Sequence, residues 1–128
     1  MNILDKIKSI WAIGRQHKMT AIGFDRARNI DDPQVFISKQ VKQPIPSDSE
    51  ILVKVLATSV NPVDTKMRAG YKAEGQFRIL GFDAVGEVVK VGTEVSRFDV
   101  GDLVYYAGSQ MKQGSNAAYQ VVEADLVG

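Results

Sequence analysis

From residue 19 onward the chain is interrupted every few residues by glycine, proline, asparagine, aspartate or serine, and the runs between these breaks are short and rich in β-branched side chains. Long helices have no room in such a pattern, whereas strands of four to eight residues do. The runs at 20–24, 35–41 and 50–59 are the first three, with Ile51, Val53 and Val55 alternating with Leu52, Lys54 and Leu56 as in a largely buried strand. Gln43-Pro44-Ile45-Pro46-Ser47-Asp48 is a loop by its two prolines. Runs at 86–92, 103–106 and 117–122 supply three further strands. A single short helix interrupts them: Asn61 can cap free amides, Pro62 suits the first helical position, and 63–69 ends at Gly70. About six strands and one brief helix predict a mainly β fold, a closed or nearly closed barrel in place of a βαβ layer.

Residues 1–18 have a different texture. Ile3, Leu4, Ile7, Ile10 and Trp11 recur at helical spacing opposite Asp5, Lys6, Lys8 and Ser9, which predicts an amphipathic helical extension ahead of one domain at 19–128. It reads as an accessory segment packing on a partner or as an in-frame stretch upstream of a start at Met19. Lying on a membrane surface is the third reading. Net charge is +1, from 16 basic and 15 acidic residues, so no electrostatic case exists for nucleic acid or for an anionic membrane as partner. The 128 residues contain no cysteine, which is compatible with a reducing compartment and a cytoplasmic location. With His17 as the sole histidine, neither a catalytic triad nor a multi-histidine metal site can be built within these residues.

Two constellations could carry chemistry. Gly81-Phe82-Asp83-Ala84-Val85-Gly86-Glu87-Val88-Val89-Lys90-Val91-Gly92 looks superficially like a dinucleotide loop, but β-branched residues follow the glycines where such a loop needs a helix. Asp83 in this run either accepts turn amides or positions a water or a cofactor group. In Asn61-Pro62-Val63-Asp64-Thr65-Lys66-Met67-Arg68-Ala69-Gly70-Tyr71, Asp64 lies in the first helical turn and Arg68 follows by four positions, close enough to pair with it. Asn61 and Arg68 are either a cap and a surface charge or polar groups facing a ligand, with Tyr71 as an aromatic wall.

Taken in order, Asn61-Pro62-Val63-Asp64, the glycine-bounded 81–92 run and Val100-Gly101-Asp102-Leu103-Val104-Tyr105-Tyr106 resemble the front domain of the medium-chain dehydrogenase/reductases, and in particular the quinone oxidoreductase and zinc-type alcohol dehydrogenase-like branch. The resemblance runs from about Thr20 to Gly128. It implies a GroES-like, partly open β-barrel that relatives follow with a Rossmann domain binding NADPH and a segment returning to the barrel, both expected to lie outside these 128 residues. In zinc-dependent relatives a cysteine and a histidine stand where this chain has Asn61 and Phe82, so no zinc is expected. The implied chemistry is hydride transfer from NADPH to a carbonyl, quinone or conjugated alkene. It places Asn61 near the nicotinamide and substrate, makes Asp64 the organiser of the helix, and sets Arg68 and Tyr71 beside the cleft; Asp83, from its own setting, is the other candidate contact to the cofactor. Relatives often carry an aromatic residue where this chain has Lys66. The resemblance further implies a small-molecule substrate, a possible homo-oligomer, and no activity from the chain alone. A stand-alone barrel serving as a scaffold is the alternative, since unpaired strand edges recruit other chains.

Overall fold

The computed structural model describes residues 2–4, 6 and 17–128. Six strands form: β1 (Lys18–Gly23), β2 (Ile37–Lys42), β3 (Glu50–Thr58), β4 (Asp83–Val91), β5 (Leu103–Ala107) and β6 (Tyr119–Glu123). Helix α1 (Pro62–Ala69) separates β3 from β4, and a 3-10 turn, Ala124–Leu126, follows β6. The expected mainly β architecture is what forms. Of the amphipathic segment, Ile3, Leu4 and Lys6 are helical and the two apolar residues are exposed; 1, 5 and 7–16 lie outside the described residues.

All pairings between strands are antiparallel. β5-β4-β3-β6 makes one sheet and β1-β2 another. The two are joined where the chain leads into β6, because Ala118 N–H donates to the Thr20 carbonyl and Val55 N–H to the Ala118 carbonyl. At the far side, Gly128 and Tyr105 exchange backbone hydrogen bonds, so the residues after the 3-10 turn cover the outer edge of β5. One stretch of chain thus borders both edges of the four-stranded sheet, which curls into a partly open barrel.

The core follows from side-chain alternation. Ile51, Val53, Val88, Val104, Val122 and Val127 meet inside the curl. Leu52, although on the alternate face, is also fully buried, so β3 is covered on both sides over its first half as its sequence predicts. Register shifts at Leu52/Val53 and Val55/Ala57 change this. They bend the second half of β3 away, leaving Leu56, Ala57 and Thr58 exposed.

Two glycines are fixed by geometry. A Cβ on Gly86 would sit 2.3 Å from Val53 Cγ1, so β4 approaches β3 only with hydrogen there. Gly81 has φ +99 and a Cβ would meet Ser115 Oγ at 2.3 Å. Away from the site, Lys112 Nζ binds Glu50 Oε2 at 2.8 Å and Glu123 Oε1 at 3.4 Å, tying the loop after β5 to the barrel.

Gly81→Ala should lower unfolding stability by more than about 2 kcal/mol in urea denaturation, from positive φ and steric overlap together. A midpoint like that of the wild type would count against the described turn. Burial of Glu50 opposes its ionisation, but hydrogen bonds from Lys112 and Ser47 outweigh it and leave its pKa below 4.5. The folded value is therefore the lower one, and the stability it confers is present above pH 4.5 and lost as pH falls through the folded pKa. Glu50→Gln should flatten this acid limb of a stability-versus-pH curve.

Candidate functional site

The site is organised from a buried acid outward. Asp64 is 5% exposed, and both oxygens accept backbone amides: Oδ2 from Asn61 at 2.8 Å, Oδ1 from Gly81 at 2.9 Å. The first is the acidic half of a capping box, favoured by the helix dipole; the second fastens α1 to the turn leading into β4. Asp64 and Arg68 do not pair. Arg68 Nη1 instead donates to the Arg28 carbonyl at 3.0 Å, because the acid points inward to the amides while the half-buried arginine leans over the loop after β1.

Asn61 occupies the N-cap, and its side-chain Nδ2 reaches Asp83 Oδ2 at 3.0 Å and Ser59 Oγ at 3.4 Å. Ser59 Oγ is itself 3.5 Å from Asp83 Oδ2. Asp83 therefore accepts side-chain donors, not the turn amides that its sequence neighbours allow. It is exposed at the start of β4, and its backbone carbonyl takes Ser59 N–H and Thr58 Oγ1. Thr58 Oγ1 also lies 2.5 Å from the buried Ser115 Oγ.

Beside this cluster an open cleft of about 550 Å³ lies between the ends of β3, β4 and β5. Its walls include Ala57, Val85 and Tyr105, which are cross-strand partners in one row, with Thr58, Ser59 and Asp83 at one end and Gly128 under the Tyr105 ring. Tyr106 lines the cleft too, but its hydroxyl donates to Gln120 Oε1 at 2.7 Å, and burial pushes the phenol well above its ordinary pKa.

Of the expected site residues, the structure unites Asn61, Asp64 and Asp83. Tyr71 stacks edge-on against Phe24, with centroids 4.9 Å apart, and its hydroxyl donates to the Gln76 carbonyl. Neither Tyr71 nor Arg68 contacts Asn61 or Asp83 through the described hydrogen bonds. Thr58, Ser59, Tyr105 and Ser115 were not singled out by the sequence. Thr58-Ser59, polar residues ending an apolar strand two positions before Asn61, were the available signal.

Residues 47–127 match the alcohol dehydrogenase GroES-like domain. The chain belongs to that family. It is 45% identical over 109 residues to a zinc-type alcohol dehydrogenase-like protein of Staphylococcus aureus, a match covering 85% of this chain and 32% of that protein. Among solved structures, one from Rhizobium etli, provisionally named a zinc-dependent alcohol dehydrogenase, superposes with TM-score 0.85 at 37% identity, covering 89% of this chain and 33% of the other. The Escherichia coli quinone oxidoreductase solved with NADPH gives TM-score 0.68 and 27% identity, over 85% of this chain and 32% of that one. The chain thus spans about a third of the length of the relatives it matches.

The donor set at Asn61 and Phe82 does not fit zinc: the amide Nδ2 is directed to Asp83, and Phe82 is a phenyl ring 5% exposed. Among the described residues no group of three or more His, Cys, Asp or Glu could hold a metal. No helix among them is long and apolar enough to cross a membrane.

Replacing Asp64 with asparagine puts an NH₂ against one of the two amides that its oxygens accept. Asp64→Asn should cost about 1–3 kcal/mol, with faster hydrogen exchange at one or other of the Asn61 and Gly81 N–H groups, as expected when a buried donor loses its acceptor. Unchanged exchange at both would show that the staple is not what holds the turn.

Proposed function

We propose that this chain is the substrate-side part of an NADPH-dependent oxidoreductase that reduces a small carbonyl, quinone or conjugated alkene without zinc, in the cytoplasm. One observation carries the reading. In a member of the alcohol dehydrogenase GroES-like family, the positions where the resemblance puts zinc ligands hold an amide and a phenyl ring, and that amide is instead locked to a carboxylate beside an apolar cleft.

Bound NADPH would supply the hydride. This chain's contribution is to bind and orient. The row Ala57, Val85 and Tyr105 offers a flat apolar and aromatic surface to a planar substrate. Asn61, fixed by Asp64 through its backbone and by Asp83 through its side chain, stands at the rim of the cleft near the cofactor. Negative charge growing on the substrate oxygen needs donors, and Tyr105 is a hydroxyl-bearing residue in the cleft wall. Arg68 and Tyr71 act at one remove, by holding the loops after β1 and α1 that border α1. The scaffold alternative is weakened by the cover that Gly128 gives to the edge of β5.

Since the relatives are about three times longer, we expect no turnover from the 128 residues alone and NADPH oxidation once they are joined to a nucleotide-binding domain. The test is absorbance loss of NADPH with quinones and enones for both forms. Robust turnover by the chain by itself, or none by the joined protein with any acceptor, would sink the proposal.

A further inference from the structure

The cleft beside Asn61 has one charged wall residue, Asp83, and nothing neutralises it: no lysine or arginine pairs with this carboxylate among the described residues. Its Oδ2 is held by Asn61 Nδ2 at 3.0 Å and approached by Ser59 Oγ at 3.5 Å, whereas Oδ1 accepts no hydrogen bond among the described residues. The rest of the wall is mostly apolar or aromatic. A fixed carboxylate with one vacant acceptor, set against such a wall, treats ligands unequally. A hydroxyl can donate to it; a bare carbonyl oxygen, an acceptor only, gains nothing from it; a second carboxylate is repelled.

We propose that Asp83 is a specificity-determining residue, selecting neutral ligands that place a hydroxyl donor beside an apolar body and turning away carboxylates. Asn61 and Ser59 are positioning residues for it, because their donors occupy Oδ2 and fix the carboxylate at the cleft rim. The inference rests on the cleft being the substrate site of the proposed reductase. Within that reading, the alcohol or hydroquinone produced by reduction is the form that Asp83 binds better, and the oxidised carbonyl form receives no help from it.

The test uses the 128-residue chain, three probes of one shape, and amide shifts at residues 83–85 and 105–107 in heteronuclear NMR titrations. Benzyl alcohol brings a donor, acetophenone only an acceptor, benzoate a negative charge. Because solvent screens an exposed carboxylate, the wild-type chain should prefer benzyl alcohol to benzoate by about tenfold, with acetophenone between, and Asp83→Asn should bring benzoate within about twofold of the alcohol. The asparagine keeps an acceptor for Asn61, and Asp83→Ala repeats the charge test without it. Equal affinity for benzoate and benzyl alcohol in the wild type overturns the inference, as does an unchanged ratio in both variants. Should no probe move these signals, the cleft is not a substrate site and both readings fall. Selectivity in the chain with no NADPH oxidation by the joined protein would overturn the reductase proposal alone.

Discussion

Everything at the candidate site depends on where one buried carboxylate sends its two oxygens. Asp64 joins the start of α1 to Gly81, 17 residues away in sequence, through two amide hydrogen bonds. Such a charge tolerates burial because each oxygen is met by a donor and the helix dipole adds a favourable field. The consequences propagate by chain connectivity. Fixing the Asn61 amide sets the cap, and fixing Gly81 sets the turn that delivers Asp83 two residues later, so the two side chains meet at 3.0 Å. Asp64 therefore shapes the cleft without lining it.

The barrel supplies the second constraint. β3 is buried on both faces from Glu50 to Val53 and loses that cover from Lys54 onward, with register shifts at Leu52/Val53 and Val55/Ala57. Thr58 still pairs with Ala84 as the strand ends, and its hydroxyl meets the Asp83 carbonyl and Ser115, so with Ser59 it gives the cleft a polar end while Ala57 stays in a row with Val85 and Tyr105.

The parts legible in the sequence are those governed by local rules. β-branched runs gave the strands to within a few residues, and Asn61-Pro62 gave the start of α1. The ordered motifs gave the family, since their spacing reflects an entire fold. What stayed hidden is long-range. Arg68 lies one helical turn from Asp64, and spacing alone favours their pairing; burial of the acid against Gly81 defeats it. Asp83 among apolar neighbours looks committed to turn amides, and nothing in residues 81–86 reveals that Asn61, 22 positions earlier, arrives to take Oδ2. Ser115, 57 residues from Thr58, is likewise invisible until the chain closes.

A zinc ion would place a strong electrophile where negative charge grows on a substrate oxygen. Here the corresponding region holds an amide and a carboxylate, and the carboxylate works in the opposite sense: it disfavours an oxyanion and favours a protonated oxygen. On the proposed reading, stabilisation of the developing oxyanion must come from a hydroxyl such as that of Tyr105, or from groups outside this chain, with Asp83 receiving the product hydroxyl once it is protonated. Oxyanion stabilisation and product binding then fall to different residues of the cleft wall. On the same reading, substrates whose anions are already delocalised, quinones above all, would ask less of a site without that electrophile than simple ketones would.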